Sequence, residues 1–267
     1  MKSYDTLFGR YEAYVDSYRD AGGSLPEMME LKRVHTAYVV RNAEAIAAGE
    51  AFDDERREVA LAAALLHDTG RYEQLRLYDT FKDSASVDHA VLSHGIVKSL
   101  GWLDDAFETK GARKAEAVLA AVLYHNRREI PCGLDSLTET AAHAVRDADK
   151  LDIFRVLEDR LGNPAWRDDA RAFWNLQVNA APSPEVARAI AAKEPVDYGA
   201  IRSLSDFVLV QVGWMVSGLH FATSRRLCAE RGHLAFRRRF LHTLTDAASV
   251  DGLCDLAEKE LERDATL

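Results

Sequence analysis

Residues 59–70 read Val59-Ala60-Leu61-Ala62-Ala63-Ala64-Leu65-Leu66-His67-Asp68-Thr69-Gly70. Alanine and leucine are strong helix formers, and a run apolar on every face predicts a central, buried helix. It stops at two ionisable side chains, with Gly70 in the position of a C-terminal cap. Upstream, Gly49 and the acidic cluster Asp53-Asp54-Glu55 predict one helix ending and the next beginning. Before them, Leu31, Val34, Tyr38, Val39 and Ile46 recur at helical spacing, and His35 and Asn42 lie near the same face.

Outward from this centre the chain reads as helix almost throughout. Residues 71–87, with Tyr72, Tyr78 and Phe81 among Asp79, Asp83 and Ser84, are expected to be irregular. Helices are expected over Asp88–Leu100, Ala112–His125, Thr138–Leu161, Arg167–Asn179, Glu185–Lys193, Ser203–Arg231 and Leu234–Glu262. The breaks are Pro131, Gly133, Gly162-Asn163-Pro164 and Pro182-Ser183-Pro184. Only the valine-rich stretch from Val208 to Val216 also suits a strand. The expectation is one all-α domain, its working core at about 28–160, with a C-terminal helical layer at about 165–267.

Bulk properties narrow the function. The 267 residues are 48% hydrophobic and 29% charged, enough for a substantial core without disulfides. Acidic residues outnumber basic ones 43 to 34, a formal charge of −9, which argues against a partner as long and anionic as DNA or RNA. A small phosphorylated substrate remains open, because a metal and a few cations can make one cleft locally positive. Cys132, Cys228 and Cys254 are sparse and odd in number, fitting a reducing compartment. The N-terminal Met1-Lys2-Ser3-Tyr4-Asp5 leads into no signal-peptide apolar core, so a cytoplasmic, soluble chain is expected, with no membrane partner. Phe207–Ala222 is apolar but short and polar-interrupted, which suits a buried helix or a homodimer contact.

The chemistry-bearing residues are His35, the adjacent His67-Asp68, and Asp149 within Arg146-Asp147-Ala148-Asp149-Lys150-Leu151-Asp152. Each falls on the inward side of an expected helix or at its end. Asp149 shares a face with Ala142, Val145 and Ile153. A carboxylate beside apolar neighbours is costly unless it is paired, hydrogen-bonded or bound to metal. Two imidazoles and two carboxylates suit a divalent first-row ion with coordination positions left open. Taken singly, a His on an inner face is more often a hydrogen-bonded core residue, and an Asp in such a helix is more often salt-bridged. The combination and its order carry the reading.

In that combination the chain resembles the HD superfamily of metal-dependent phosphohydrolases. The matching pieces are His35, Leu65-Leu66-His67-Asp68-Thr69-Gly70-Arg71 and Asp147-Ala148-Asp149-Lys150-Leu151-Asp152. The stretch Tyr78-Asp79-Thr80-Phe81-Lys82-Asp83 through Asp88-His89-Ala90, with Tyr124-His125-Asn126, looks like one bacterial branch of that superfamily. The resemblance implies a helical bundle in which His35, His67, Asp68 and Asp149 hold the primary metal, while Asp147 is an outer or structural carboxylate. It also offers His89 and His125 as ligands of a second metal, with His94 a rival to His89. Their alternatives are substrate contact or a helix-start role for His89, and a bond within its own turn for His125.

The implied reaction is hydrolysis of a small phosphomonoester or phosphodiester, nucleotide-like, with one or two divalent transition metals (Mn, Fe, Co, Ni or Zn). Asp68, Arg71 and Lys150 are the candidate catalytic residues, the two cations being expected to hold phosphate oxygens. Asn126, Arg146 and Lys82 are weaker substrate-binding candidates, and Arg127 and Arg128 weaker still. Tyr72, Tyr78 and Phe81 either close over a nucleobase or anchor a long loop. Two rival classes stay open: a di-iron oxygenase on the same fold, and a nucleotide-binding regulator without turnover. Phosphate-loop, nucleophile-elbow, His-Glu-x-x-His and Gly-x-Gly-x-x-Gly patterns are absent from the sequence.

Overall fold

The computed structural model describes residues 2–107, 111–163 and 176–263. Among them the regular structure is helical, with a single parallel bridge pair, Gln177 with Ser203, in place of any strand. The chain divides into two compact units, Met1–Asp152 and Ile153–Leu267, the division falling inside a long helix. None of the described helices is long and apolar enough to cross a membrane.

The first unit contains α1 (Lys2–Asp16), α2 (Glu27–Gly49), α3 (Asp54–Leu66), α4 (Gly70–Tyr78), α5 (His89–Ser99), α6 (Trp102–Phe107), α7 (Ala112–Tyr124) and the first part of α8 (Ser136–Gly162). Helix α3 is the centre the sequence foretold: every residue from Val59 to Leu66 is buried. Asp53 caps it by accepting from the Arg56 amide at 2.8 Å, satisfying one of the donors left open at a helix start. Helices α1, α2 and α7 pack around α3, and α5 lies against both α4 and α7.

Helix α2 does turn His35 inward, with Asn42 and with Val39 and Ile46 of the expected apolar stripe, but the stripe's first members are not on that face. Its buried face runs through Met29, Thr36, Val39, Ala43 and Ile46, whereas Leu31 and Val34 are exposed. Residues 70–78 form α4 where irregular chain was expected. Gly70 is accordingly no C-cap: it opens α4 and lies against α5. A β-carbon there would come within 2.6 Å of the Ser93 amide nitrogen and 2.9 Å of the His89 carbonyl. The Gly70 amide donates to Ser93 Oγ at 2.8 Å across the same contact. After Asp79, which ends α4 in a left-handed conformation (φ 51°), the chain runs irregularly to Asp88 with one short 3₁₀ turn.

The second unit contains the rest of α8, α9 (Pro184–Ala191), α10 (Leu204–Gly213), α11 (Ala222–Glu230), α12 (His233–Leu241) and α13 (Asp251–Glu262). Val208–Val216 is helical, not a strand, passing from α10 into a π-helical turn at Trp214–Gly218. The helix expected over Ser203–Arg231 is thus broken before α11, and the one over Leu234–Glu262 is broken between α12 and α13. Much of the one expected at Arg167–Asn179 lies outside the described residues, and Gln177–Asn179 is non-helical. Helix α10 starts at a reciprocal cap between Ser203 and Asp206 and is buried along most of its length, the buried-helix alternative for Phe207–Ala222. Arg237 is fully buried on α12, pairing with Glu158 at 2.6 Å and donating to Gln211 Oε1 and the Phe154 carbonyl.

Candidate metal centre

Five helices of the first unit deliver its ionisable groups to one place. His35 comes from the middle of α2, His67 and Asp68 from the turn after α3, His89 from the start of α5, His125 from the end of α7, and Asp149 and Asp152 from α8. The four histidines are buried. Each has its Nδ1 in a hydrogen bond: His35 with Asp152 Oδ2 at 2.6 Å, His67 with the Ala64 carbonyl at 2.8 Å, His89 with Asp83 Oδ2 at 2.6 Å, and His125 with the Val122 carbonyl at 2.7 Å. A ring with Nδ1 so engaged presents Nε2 as its free coordinating atom.

Those Nε2 atoms converge on two carboxylates. Asp149 Oδ1 is 3.1 Å from His35 Nε2 and 3.9 Å from His67 Nε2. Asp68 Oδ2 is 3.7 Å from the first and 3.6 Å from the second. Atoms that share a metal at about 2.1 Å lie roughly 3–3.5 Å apart, so this cluster is close to a coordination sphere. The other oxygen of Asp68 faces the other pair: Oδ1 is 3.5 Å from His89 Nε2 and 3.9 Å from His125 Nε2, which themselves lie 2.9 Å apart. His35-His67-Asp149, His67-Asp68-His125 and Asp83-Asp88-His89 are each compact enough to hold an ion.

The donor set fits a metal on independent grounds. Nε2 of His35 and of His67 are buried without a hydrogen-bond partner of good geometry, which is costly unless something coordinates them. Burial, then the neighbouring His89 and His67, pushes His125 down to about 3, and burial also lowers His67. Burial raises the carboxylate of Asp68, but Lys32, His67, Arg71 and His89 outweigh it and hold Asp68 well below its usual range. Asp149 is likewise held low, burial being overcome by the adjacent His35 and His67. Neutral imidazoles and ionised carboxylates are the forms a divalent cation binds. His35 differs: burial and Lys32 oppose its charge, yet Asp149 and Asp152 raise it above the ordinary value.

The outer candidates fall out unevenly. Arg71 Nη1 donates to Gln74, the Phe81 carbonyl and Asp83, while its Nε lies 3.5 Å from Asp68 Oδ1. It stands beside the centre and anchors the 79–88 segment there. Lys150 donates to the Arg146 carbonyl, and burial and Arg146 push its amine down to about 8. Arg146 turns its guanidinium to the carbonyls of Tyr124, His125, Arg127 and Arg128. It therefore fastens the His125 turn. Asn126 ties that turn to the start of α5 through Asp88 Oδ1 at 2.9 Å. Lys82 is exposed and Asp88 caps α5, while His94 is only partly buried. Tyr72 is fully buried against Tyr11, Tyr14 and Tyr18, which makes it an anchor.

Three residues passed over in the sequence contribute most. Asp152, three residues after Asp149, is the carboxylate on His35, and Asp147 is buried on the same helix. Asp83, six residues before His89, orients that ring. Lys32, three residues before His35, donates to Asp68 Oδ2 at 2.7 Å. The i,i+3 spacing to a candidate ligand was the available signal for Lys32 and Asp152, and Asp83 left none.

Residues 34–153 match the family described as HD domain. The matched stretch takes in every ligand candidate from His35 to Asp149 and ends where the first unit ends. The match supports the HD superfamily of metal-dependent phosphohydrolases for this stretch, 120 of the chain's 267 residues. No curated protein and no solved structure matches the chain.

Proposed function

We propose that the chain hydrolyses a small phosphomonoester or phosphodiester, nucleotide-like, with one or two divalent transition metals. The observation that carries this reading is the Asp68 carboxylate, whose two oxygens each face a separate pair of buried Nε2 atoms. His35, His67, Asp68 and Asp149 would hold the primary ion, and His89 and His125 with Asp68 Oδ1 a second. When bound, such ions supply charge to a phosphoryl oxygen and acidify a water.

The chain's own residues do the rest. Asp152 and Asp83 fix the ring planes of His35 and His89, so no ordering is left for the moment of reaction. Arg71 keeps positive charge beside Asp68 while the 79–88 segment holds it in place. Phe81 offers a partly exposed ring next to those charges, a surface on which a nucleobase can stack. The excess of acidic residues, 43 over 34, supports a small substrate over a long nucleic acid and is compatible with a cytoplasmic setting.

The test is Asp68→Ala, measured for bound metal and for phosphate release from nucleotides and generic phosphoesters. Metal should fall toward zero and turnover should drop by more than the roughly 10–100-fold that losing an outer partner costs. Undiminished turnover would sink the proposal. Tightly held iron with substrate-dependent oxygen uptake, and no phosphate released, would move the reading to oxidation.

A further inference from the structure

Lys32 lies on α2 one turn before His35, and its Nζ donates to Asp68 Oδ2 at 2.7 Å. That oxygen is the one shared with the Nε2 atoms of His35 and His67. The Lys32 side chain is 18% exposed and that of Asp68 3%, so the ammonium connects the buried cluster to solvent. It also stands over Phe81, 5.4 Å from the ring centroid, a ring it shares with the Arg71 guanidinium at 5.6 Å.

The nearby cations differ in how they are engaged. Arg71 Nη1 meets three acceptors on the 71–83 segment, and its buried Nε, 3.5 Å from Asp68 Oδ1, faces the cluster from the protein side. Arg146 is turned to four carbonyls of the 124–128 turn, and Lys150 to a carbonyl of its own helix. An ammonium has three N–H donors, and among the described residues the Lys32 hydrogen bond goes to Asp68. Donors therefore remain at the solvent side of the cluster.

Charge balance adds the decisive argument. In a site where a divalent ion takes Asp68 Oδ2, Lys32 becomes a fixed positive charge beside another positive charge. Asp68 lies between the two and is shared by both, so a further anion on the solvent side of Lys32 relieves the repulsion that one carboxylate leaves. A compact ammonium suits a phosphate oxygen as a point charge.

We propose that Lys32 is the phosphate-holding cation of this centre, binding a phosphoryl oxygen of the substrate and the inorganic phosphate product. The inference rests on the hydrolase reading above, and its test separates the two. Wild type, Lys32→Met and Lys32→Arg are compared for metal per chain, for inorganic phosphate affinity by calorimetry on the manganese-loaded protein, and for KM and kcat with p-nitrophenyl phosphate. Lys32→Met should keep its metal, bind phosphate about tenfold or more weakly, and raise KM more than it lowers kcat. Lys32→Arg should recover part of the affinity. Unchanged phosphate binding in Lys32→Met overturns the proposal, and so does loss of its metal, since Lys32 would then serve Asp68. If Lys32→Met melts early, Lys32→Gln and Lys32→Arg decide the same comparison. If the wild type releases no phosphate from any ester, the hydrolase reading fails while the phosphate affinities still decide on Lys32. If the wild type binds no phosphate, the role assigned to Lys32 is wrong.

Discussion

His35 shows how much one side chain depends on its second partner. Its Nε2 faces Asp149 and Asp68 because Nδ1 is held by Asp152 at 2.6 Å. A carboxylate on the far side of a metal-ligating imidazole fixes its tautomer and makes it a better donor. Asp152→Asn keeps the volume and removes the charge, so metal affinity should fall about 10–100-fold with the fold retained. Metal titration against a competing chelator measures it, and an unchanged affinity would show that the 2.6 Å contact does not tune the ligand.

Among the elements, the crossing of α4 on α5 sets the distance between the His67-Asp68 turn and His89. Gly70 makes that crossing close, with the Ser93 amide and the His89 carbonyl lying where a β-carbon would sit. Gly70→Ala forces backbone apart, because the neighbours are main-chain atoms that cannot rotate away. Overpacking of this kind costs about 1–3 kcal/mol, read as a lower denaturation midpoint, and His89 should be displaced from Asp68. A variant as stable as wild type would mean the two helices have slack. Glycine's place in the sequence suggested a cap, since a cap and a close contact look alike until the neighbouring helix is known.

At the scale of the whole molecule, burying neutral imidazoles ties stability to pH. His125 is pushed from 6.5 to about 3 and His67 is also lowered, so the unfolded chain binds protons in that window that the metal-free folded chain refuses. Stability is therefore full above about pH 6.5 and is lost as the pH falls toward 3, on the order of a few kcal/mol for His125 alone. The lowered Asp68, Asp149 and Asp83 act in the same direction at the acid end. His35, being raised, acts oppositely: its contribution is present below 6.5 and is lost as the pH climbs through its folded value. Melting of metal-free protein from pH 7 to 4 should show a falling midpoint, flatter in His125→Gln. A midpoint that rises on acidification would contradict the neutral, buried state of His67 and His125.

What the sequence determined by itself were the features encoded locally. The all-apolar run at 59–66 made α3, Asp53 and the acidic cluster started it, and the order His35, His67-Asp68, Asp149 pointed to the primary ligand candidates and the HD domain. What only the tertiary structure decided were the choices local pattern leaves degenerate. The apolar spacing on α2 marked one stripe, and packing against α3 buried its Val39 and Ile46 with Met29, Thr36 and Ala43 while leaving its Leu31 and Val34 in water. Residues 70–78, poor in apolar periodicity, became helix because α5 and the buried Tyr72 hold them. Lys32, Asp83 and Asp152 had no role assigned from the sequence until the fold brought them to Asp68, His89 and His35. Spacing along one helix fixes which residues share a face, but the charge that completes a site comes from elements far apart in the chain, and only the packing of those elements selects it.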